Sequence, residues 1–322
     1  MNSTKKLTEA ALLSSLFVLS TVIAVGSGLG YALYLDFIVP IFFCIICLKC
    51  ELKYTILSSI SSLTIVVLVL GNIGTAIWAA QSVILGIMCG FLMSKATTII
   101  DDIICGSIIG IVLMVFIDLY ASKLIGYSFM KEFSQYTKIF DLKGYSEIIY
   151  YMLITLFPMG TVFSIYFLSL LLSKKLNILK GNAKRKLHMI KNFRNCSRFI
   201  CCSKNVFYLC SIYLILVELM NILNINISIV YLKTITISIQ YLCFYFVIRD
   251  GYIIVQNYVI SKYQKISYAR ILSLITIVLL LFMFKLTTLV IVILNLILDS
   301  KIDIRIKQIL IVDNYVNNLV SK

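Results

Sequence analysis

The chain has 322 residues, of which 61% are hydrophobic and 13% charged, and its formal net charge is +15. Soluble domains are about 45–50% apolar and about 25% charged, and a soluble fold of this length could not hide so large an apolar excess beneath a polar surface. The composition excludes a soluble globular domain and predicts that lipid surrounds most of the chain.

Apolar runs of about twenty residues can cross a hydrocarbon core about 30 Å thick. The last apolar run, 271–298, is too long for one upright helix, so it either tilts strongly or breaks near Lys285 into a hairpin, which we favour. A mixed segment at 122–147, rich in Tyr and Phe, is expected to lie at the membrane interface. The sequence therefore predicts an all-α, polytopic transmembrane helix bundle of eight to ten membrane helices. The other predicted crossings, in chain order, are 7–25, 34–48, 54–70, 74–93, 103–121, 148–172, 206–223 and 227–247.

Basic residues are concentrated in one connector. Residues 174–204 carry ten Lys and Arg and no Asp or Glu. Because cytoplasmic loops collect Lys and Arg, this distribution predicts that the connector and the N-terminus are cytoplasmic. The predicted domains are a six-helix membrane domain at 1–172, a basic connector at 173–204, and C-terminal membrane helices with a short tail at 205–322.

Several short motifs carry a resemblance to a known family. They are the opening Lys6-Leu7-Thr8-Glu9-Ala10-Ala11-Leu12, Phe157-Pro158 in the sixth crossing, Asn192-Phe193-Arg194 in the connector, and Asp299 with Asp303-Ile304-Arg305 after the last crossing. With these motifs the chain resembles the YybS-like family of bacterial multi-pass membrane proteins, which are similar to the S-components of energy-coupling-factor transporters. The resemblance implies an S-component-like N-terminal half in the bacterial cytoplasmic membrane. It also implies a separate energising partner, a transmembrane coupling subunit with an ATPase.

Few ionisable groups fall in or near the apolar runs, where burial of a charge is expensive. Those near the predicted outer side, together with nearby amide and aromatic side chains, form a candidate binding pocket for a small solute. The alternative is that the acids touch headgroup water and the aromatic residues form the interfacial belt. The candidate solute-binding residues are Asp36, Asn72, Trp78, Gln81, Asp118, Tyr120, Glu147, Tyr150 and Tyr151.

Two further surfaces are candidates for partner contacts. Small residues at four-residue spacing on the first helix, Ala10 with Ser14 and Ala11 with Ser15, could dock a coupling subunit or serve internal packing. The connector interleaves cations with apolar residues, which favours contact with anionic phospholipid headgroups over simple topological bias and over nucleic acid. Its candidate lipid-binding residues are Lys184, Arg185, Lys186, Lys191, Arg194 and Arg198.

Other reactive groups give weaker signals. Cys47 and Cys50 have zinc-ligand spacing, and the adjacent Cys201 and Cys202 could complete a set of four thiolates, but we expect free thiols and predict no metal or cofactor. Glu218 could pair with Lys233 across two helices. No nucleotide-binding loop or catalytic constellation is evident, so the sequence predicts a non-enzymatic solute-binding membrane protein. The alternative is a structural or regulatory membrane protein that acts through its connector and C-terminal helices.

Overall fold

The computed structural model describes residues 3–28, 34–126, 128–139, 145–225 and 227–320. Within these residues the chain is helical and contains no β-strand, which confirms the predicted all-α fold. Seven helices are long and apolar enough to cross a membrane, so the chain is an integral membrane protein. A count of eight to ten crossings requires shorter helices in addition.

Fourteen α-helices follow one another along the described chain, and a π-helical turn at Tyr34–Ile38 precedes the second. Their bounds are α1 Ser3–Ser27, α2 Val39–Cys50, α3 Leu52–Leu70, α4 Ile73–Ser94, α5 Ile99–Ile125, α6 Phe129–Ile139, α7 Ser146–Lys175, α8 Gly181–Lys191, α9 Phe193–Cys196, α10 Lys204–Ile222, α11 Val230–Tyr263, α12 Ile266–Phe282, α13 Phe284–Lys301 and α14 Ile304–Val320.

The chain divides into two compact units. The first comprises Met1–Thr97 and Cys105–Leu187, and the second comprises Thr98–Ile104 and His188–Lys322. The later boundary falls inside the predicted basic connector, 173–204.

The first unit is built on close helix packing at small residues. A side chain at Gly86 of α4 would overlap the backbone of Pro40 in α2, and one at Gly90 would lie 2.9 Å from the carbonyl oxygen of Cys44. Without a hydrophobic force between lipid-embedded helices, such backbone proximity supplies the packing contacts that hold them together. The α2–α4 pair is therefore a tightly packed part of this unit.

In the second unit, the long apolar run at 271–298 forms two helices. Helix α12 ends at Phe282 and α13 begins at Phe284, with a non-helical backbone at Met283 (φ −137°, ψ 58°). The predicted break near Lys285 is confirmed. Helix α13 then runs alongside α11, because Phe284 contacts Phe244 at a ring distance of 5.1 Å near its start and Leu298 joins the same apolar cluster as Ile254 near its end.

Helix α11 is longer than the sequence suggested. The predicted crossing ended at Val247 because Arg249 and Asp250 follow it, whereas the helix continues to Tyr263. Asp250 is fully buried and paired with Arg305. Its charge is therefore balanced inside the second unit and does not end the helix.

Glu218 has a described partner in Lys285, and its predicted pairing with Lys233 stays a prediction. Its carboxylate accepts a hydrogen bond from Lys285 at 2.7 Å, so the described ion pair joins α10 to the start of α13. The sequence suggested Lys233 because α10 and α11 are consecutive helices. The break at Met283 places Lys285 within reach of Glu218.

Candidate functional site

The first unit contains a small pocket between the π-helical turn and helices α2, α4, α5 and α7. The space open to a water-sized sphere inside it is about 20 Å³, which accommodates about one water molecule. Two of the sequence-predicted solute-binding residues, Asp36 and Gln81, line it together. The full lining comprises Asp36, Pro40, Gln81, Ser82, Leu85, Gly110, Met114, Phe157, Pro158 and Thr161.

A change of helix type positions Asp36 in the pocket. The π-helical turn carries this residue immediately before α2, and Pro40 lies in the first turn of α2. A π-turn widens the helix and is frequent at functional sites. Proline has no amide hydrogen and is tolerated in the first turn, where amides have no acceptor within the α-helix. This local backbone therefore places the Asp36 carboxylate beside Pro40 in the pocket lining.

Glycine–proline contacts fix the distances between the surrounding helices. A side chain at Gly110 of α5 would lie 3.0 Å from the Cβ atom of Pro158 in α7. Pro158 lies inside α7, where it removes the backbone donor for the carbonyl oxygen of Ile154. A side chain at Gly86 would overlap Pro40. Both prolines of the chain therefore line the pocket and each is approached closely by a glycine of a neighbouring helix.

The polar groups of the pocket have unused hydrogen-bonding capacity. Among the described residues, no hydrogen bond or ion pair engages the side chains of Asp36, Gln81 or Ser82. The Thr161 hydroxyl donates to the carbonyl oxygen of Pro158 at 2.9 Å, so its lone pairs stay available. Ser82 is buried and the other three residues are half-buried. Polar groups that are shielded from water normally have partners, and the pocket therefore suits a small polar guest.

Two other predicted site residues cap helices. Asp118 is 4% exposed and accepts hydrogen bonds from the Ser128 hydroxyl at 3.0 Å and the Met130 amide at 3.5 Å, both at the start of α6. Asn72 accepts a hydrogen bond from the Gly74 amide at 2.8 Å at the start of α4. These bonds satisfy amide groups that a helix leaves free at its first turn. We therefore assign Asp118 and Asn72 to helix capping and not to the pocket.

The predicted aromatic residues pack on one another. Trp78 stacks on Phe129 with ring centroids 5.3 Å apart, and Tyr150 lies edge-on to Tyr151 at 5.2 Å. Phe129 also contacts Phe157 at 6.3 Å, and Phe157 lines the pocket. The aromatic cluster therefore adjoins the pocket through Phe157.

The remaining two predicted solute-binding residues are exposed. Tyr120 is 63% exposed and packs against Phe116, with ring centroids 5.0 Å apart. Glu147 is exposed in the first turn of α7, where a negative charge suits the helix dipole. Neither side chain lines the pocket.

The small residues of α1 separate into two faces. Ala10 and Ser14 are buried among the helices of the first unit, whereas Ala11 and Ser15 are exposed. The Ala10–Ser14 face therefore serves internal packing. Only the Ala11–Ser15 face is open to a partner helix.

The predicted lipid-binding cations differ in exposure. Lys184, Lys191, Arg194 and Arg198 are exposed and Arg185 is half-buried, where burial lowers its pKa. Lys186 is the exception, because it is only 3% exposed and its ammonium group is bound inside the first unit.

Lys186 holds the end of another helix. Its ammonium group donates to the carbonyl oxygen of Leu92 at 2.8 Å and to the Thr97 hydroxyl at 3.1 Å. Leu92 lies in the last turn of α4, where its carbonyl oxygen also accepts the Lys95 amide at 3.1 Å and a cation suits the helix dipole. Including Lys186 in the lipid-facing set was therefore wrong.

We expect Lys186→Ala to lower the free energy of unfolding by about 1.5–3 kcal/mol, because hydrogen bonds from a charged group to buried oxygens are lost. Lys184→Ala is the matched control on the same helix, and its exposed side chain should change stability by less than about 0.5 kcal/mol. Unfolding in mixed micelles measures both values. Equal stabilities of the two variants would contradict this role for Lys186.

The second unit contains a buried polar network centred on Arg305. This side chain is 0% exposed and forms an ion pair with Asp250. Its Nε donates to Asp299 at 3.1 Å, and a terminal nitrogen donates to the side-chain oxygen of Asn295 at 3.2 Å. The guanidinium carbon also lies 4.2 Å from the ring centroid of Phe207. Arg305 thereby links α10, α11, α13 and α14 within this unit.

The network also holds the chain segment before α10. Arg305 donates to the carbonyl oxygen of Cys202 at 3.1 Å, and the Cys202 amide donates to Asp250 at 2.8 Å. The next amide, that of Ser203, donates to Asp101 at 2.9 Å. Side chains thus satisfy the polar backbone of a non-helical segment that is buried.

Burial controls the protonation of the groups in this network. It raises the pKa of the Cys201 thiol to about 12, and burial together with Asp250 raises the pKa of Cys202 well above its usual value. Burial alone would lower the pKa of Arg305, but the charge of Asp250 outweighs it and the pKa is raised. Both thiols therefore stay protonated at neutral pH while the guanidinium stays charged.

Among the described residues, no disulfide joins any two cysteines. Among the residues that the structure describes, no group of three or more His, Cys, Asp or Glu side chains is arranged to hold a metal ion. The described thiols therefore offer no preformed zinc site.

Ser82 and Thr161 were not predicted from the sequence as site residues, and Pro40 and Pro158 were not predicted to belong to one site. A signal was available, since these are the only prolines in the chain and both fall in apolar runs. Proline inside a membrane helix leaves a carbonyl oxygen without its donor. The spacing of Gly86 with Gly90 also indicated close helix approach.

No family model matches this chain, and no curated protein and no solved structure matches it.

Proposed function

We propose that the first unit binds a small polar solute in the pocket at Asp36 and Gln81. In this proposal the protein is the membrane-embedded, S-component-like subunit of an uptake system. The observation that carries the proposal is the convergence of Asp36, Gln81 and Ser82 on one pocket, where no described residue satisfies them. A carboxylate, an amide and a hydroxyl are groups that orient a bound polar molecule.

The energy for uptake would come from a separate partner. The sequence contains no nucleotide-binding loop, so an ATPase would be another chain. The exposed Ala11–Ser15 face of α1 is the surface we propose for a transmembrane coupling subunit, because small residues allow close helix approach. The proposal places the protein in the bacterial cytoplasmic membrane with a cytoplasmic N-terminus.

Retention of a small solute by the purified protein tests this function. We expect native mass spectrometry of the wild type to show a bound small species, and Asp36→Asn and Gln81→Leu to lose it. Glu132→Gln is the matched control, because this half-buried acid lies on α6 and accepts a hydrogen bond from Tyr136 outside the pocket. Equal retention by Asp36→Asn and the wild type would contradict the proposed site.

The small size of the pocket favours a second candidate, a regulatory membrane protein without transport. Binding sites for organic ligands are typically several hundred Å³, well beyond a pocket that accommodates about one water molecule. In this alternative the protein acts through exposed cations that contact anionic headgroups, each contributing about 1 kcal/mol near the surface. Loss of anionic lipid from an alanine variant of Lys184, Lys191, Arg194 and Arg198, with no solute in the wild type, would favour it.

A further inference from the structure

We propose that the guest of the Asp36–Gln81 pocket is a single monovalent cation, with Na⁺ as the ion that fits best. This inference rests on the proposed function, because it names the class of solute for the same pocket. Size is the first argument. The space open to a water-sized sphere is about 20 Å³, which admits one small dehydrated ion and excludes an organic molecule of several heavy atoms.

Charge is the second argument. Asp36 is the only ionisable side chain among the residues that line the pocket, and no ion pair among the described residues neutralises it. Asp36 is half-buried, and removing an unpaired carboxylate from water is costly, so one bound positive charge would balance it. Divalent Ca²⁺ is usually held by several carboxylates, so a single aspartate favours a monovalent ion.

The available ligand atoms are the third argument. Oxygen atoms come from the Asp36 carboxylate, the Gln81 amide and the hydroxyls of Ser82 and Thr161, all in the pocket lining. Hard cations prefer oxygen ligands of this kind. The lining contains no Lys, Arg or His that would repel a cation.

The helix geometry is the fourth argument. Pro158 removes a backbone donor inside α7, so it leaves the carbonyl oxygen of Ile154 without its usual hydrogen bond. Interrupted membrane helices use such freed carbonyl oxygens to coordinate Na⁺ near the middle of the bilayer. Gln81 and Pro158 lie well inside α4 (Ile73–Ser94) and α7 (Ser146–Lys175), away from the helix ends.

The protein carries its own reporter for this site. Trp78 is the only tryptophan of the chain, and it stacks on Phe129, which contacts the pocket residue Phe157. An ion that tightens the pocket is expected to change the packing of this aromatic cluster. Tryptophan fluorescence therefore reports on the first unit alone.

The experiment titrates the full-length protein in nanodiscs with NaCl at constant ionic strength, with choline chloride as the replacement salt. We expect a saturable change in Trp78 fluorescence and a rise in the thermal unfolding midpoint, since a ligand that binds the folded state stabilises it. Asp36→Asn should abolish both responses, and Ser82→Ala should raise the NaCl concentration for half-saturation several-fold. Glu132→Gln should respond like the wild type.

The possible outcomes distinguish a failure of the cation inference from a failure of the proposed function. A Na⁺ response that persists in Asp36→Asn would overturn the cation site, as would a wild type that responds to pH but not to Na⁺. If Na⁺ has no effect but an organic molecule is retained and lost in Asp36→Asn, the proposed function stands and the cation inference fails. If neither binds, both fail. Should Asp36→Asn not fold, an unchanged Na⁺ affinity in Ser82→Ala and Gln81→Leu would overturn the inference.

Discussion

Arg305→Met is expected to lower the free energy of unfolding by about 3–5 kcal/mol, because it leaves buried charges without a partner. Arg305 is 0% exposed and binds two carboxylates, those of Asp250 and Asp299, whose side chains are 0% and 1% exposed. Methionine fills much of the same volume but cannot balance either charge. Unfolding in mixed micelles, followed by circular dichroism, measures the loss.

A matched substitution distinguishes the stability lost with the Arg305 network from a general effect of removing an arginine. Arg270→Met changes the same residue type at an exposed position at the start of α12 and should cost less than about 0.5 kcal/mol. Neutralising the partners as well, in Arg305→Met with Asp250→Asn and Asp299→Asn, should recover part of the stability. Equal losses from Arg305→Met and Arg270→Met would rule out the proposed role of the network.

Gly86→Ala is the second change with a large expected effect. The added methyl group would overlap the backbone carbonyl of Pro40, and a backbone group cannot move aside as a side chain can. Helices α2 and α4 would have to separate, at a cost of about 1–3 kcal/mol or more. Because Pro40 lines the pocket, we also expect the variant to lose the Na⁺-dependent change in Trp78 fluorescence.

Gly160→Ala provides the control for this prediction. Gly160 lies within α7, and nothing would lie within 4 Å of a side chain added there. Alanine favours a helix over glycine by about 0.5–1 kcal/mol, so this variant should be as stable as the wild type or slightly more stable. A Gly86→Ala protein with wild-type stability and Na⁺ response would show that the close α2–α4 contact is not required.

The composition and the periodic apolar runs determined the fold class. Lipid cannot satisfy backbone polar groups, and continuous apolar runs of about twenty residues satisfy them within one segment by forming helices. The helices occur where the runs were found. The break near Lys285 was also predictable, because a helix longer than the hydrocarbon core must tilt or turn. Hydropathy gives only the preference of each segment for water or lipid. That preference is sufficient to predict the fold class and the break in the last apolar run.

Side-chain partners were not predictable in the same way. The hydropathy pattern predicted that a crossing ends at Val247, because Arg249 and Asp250 follow it. In the structure, Arg305, which is distant in sequence, balances the charge of Asp250 within the second unit. Lys186 looked like one more surface cation of the connector, but it binds the carbonyl oxygen of Leu92. The cost of a buried charge depends on a neighbour that local sequence cannot identify.

The candidate site was also predictable from the sequence only in part. The sequence alone identified Asp36 and Gln81 as polar residues near apolar runs, and it contained only two prolines, Pro40 and Pro158. Only the tertiary structure brought these four residues together and assigned Asp118 to a helix cap. The physical reason is that hydropathy fixes which segments enter lipid, whereas backbone approach at glycines fixes which side chains face one another.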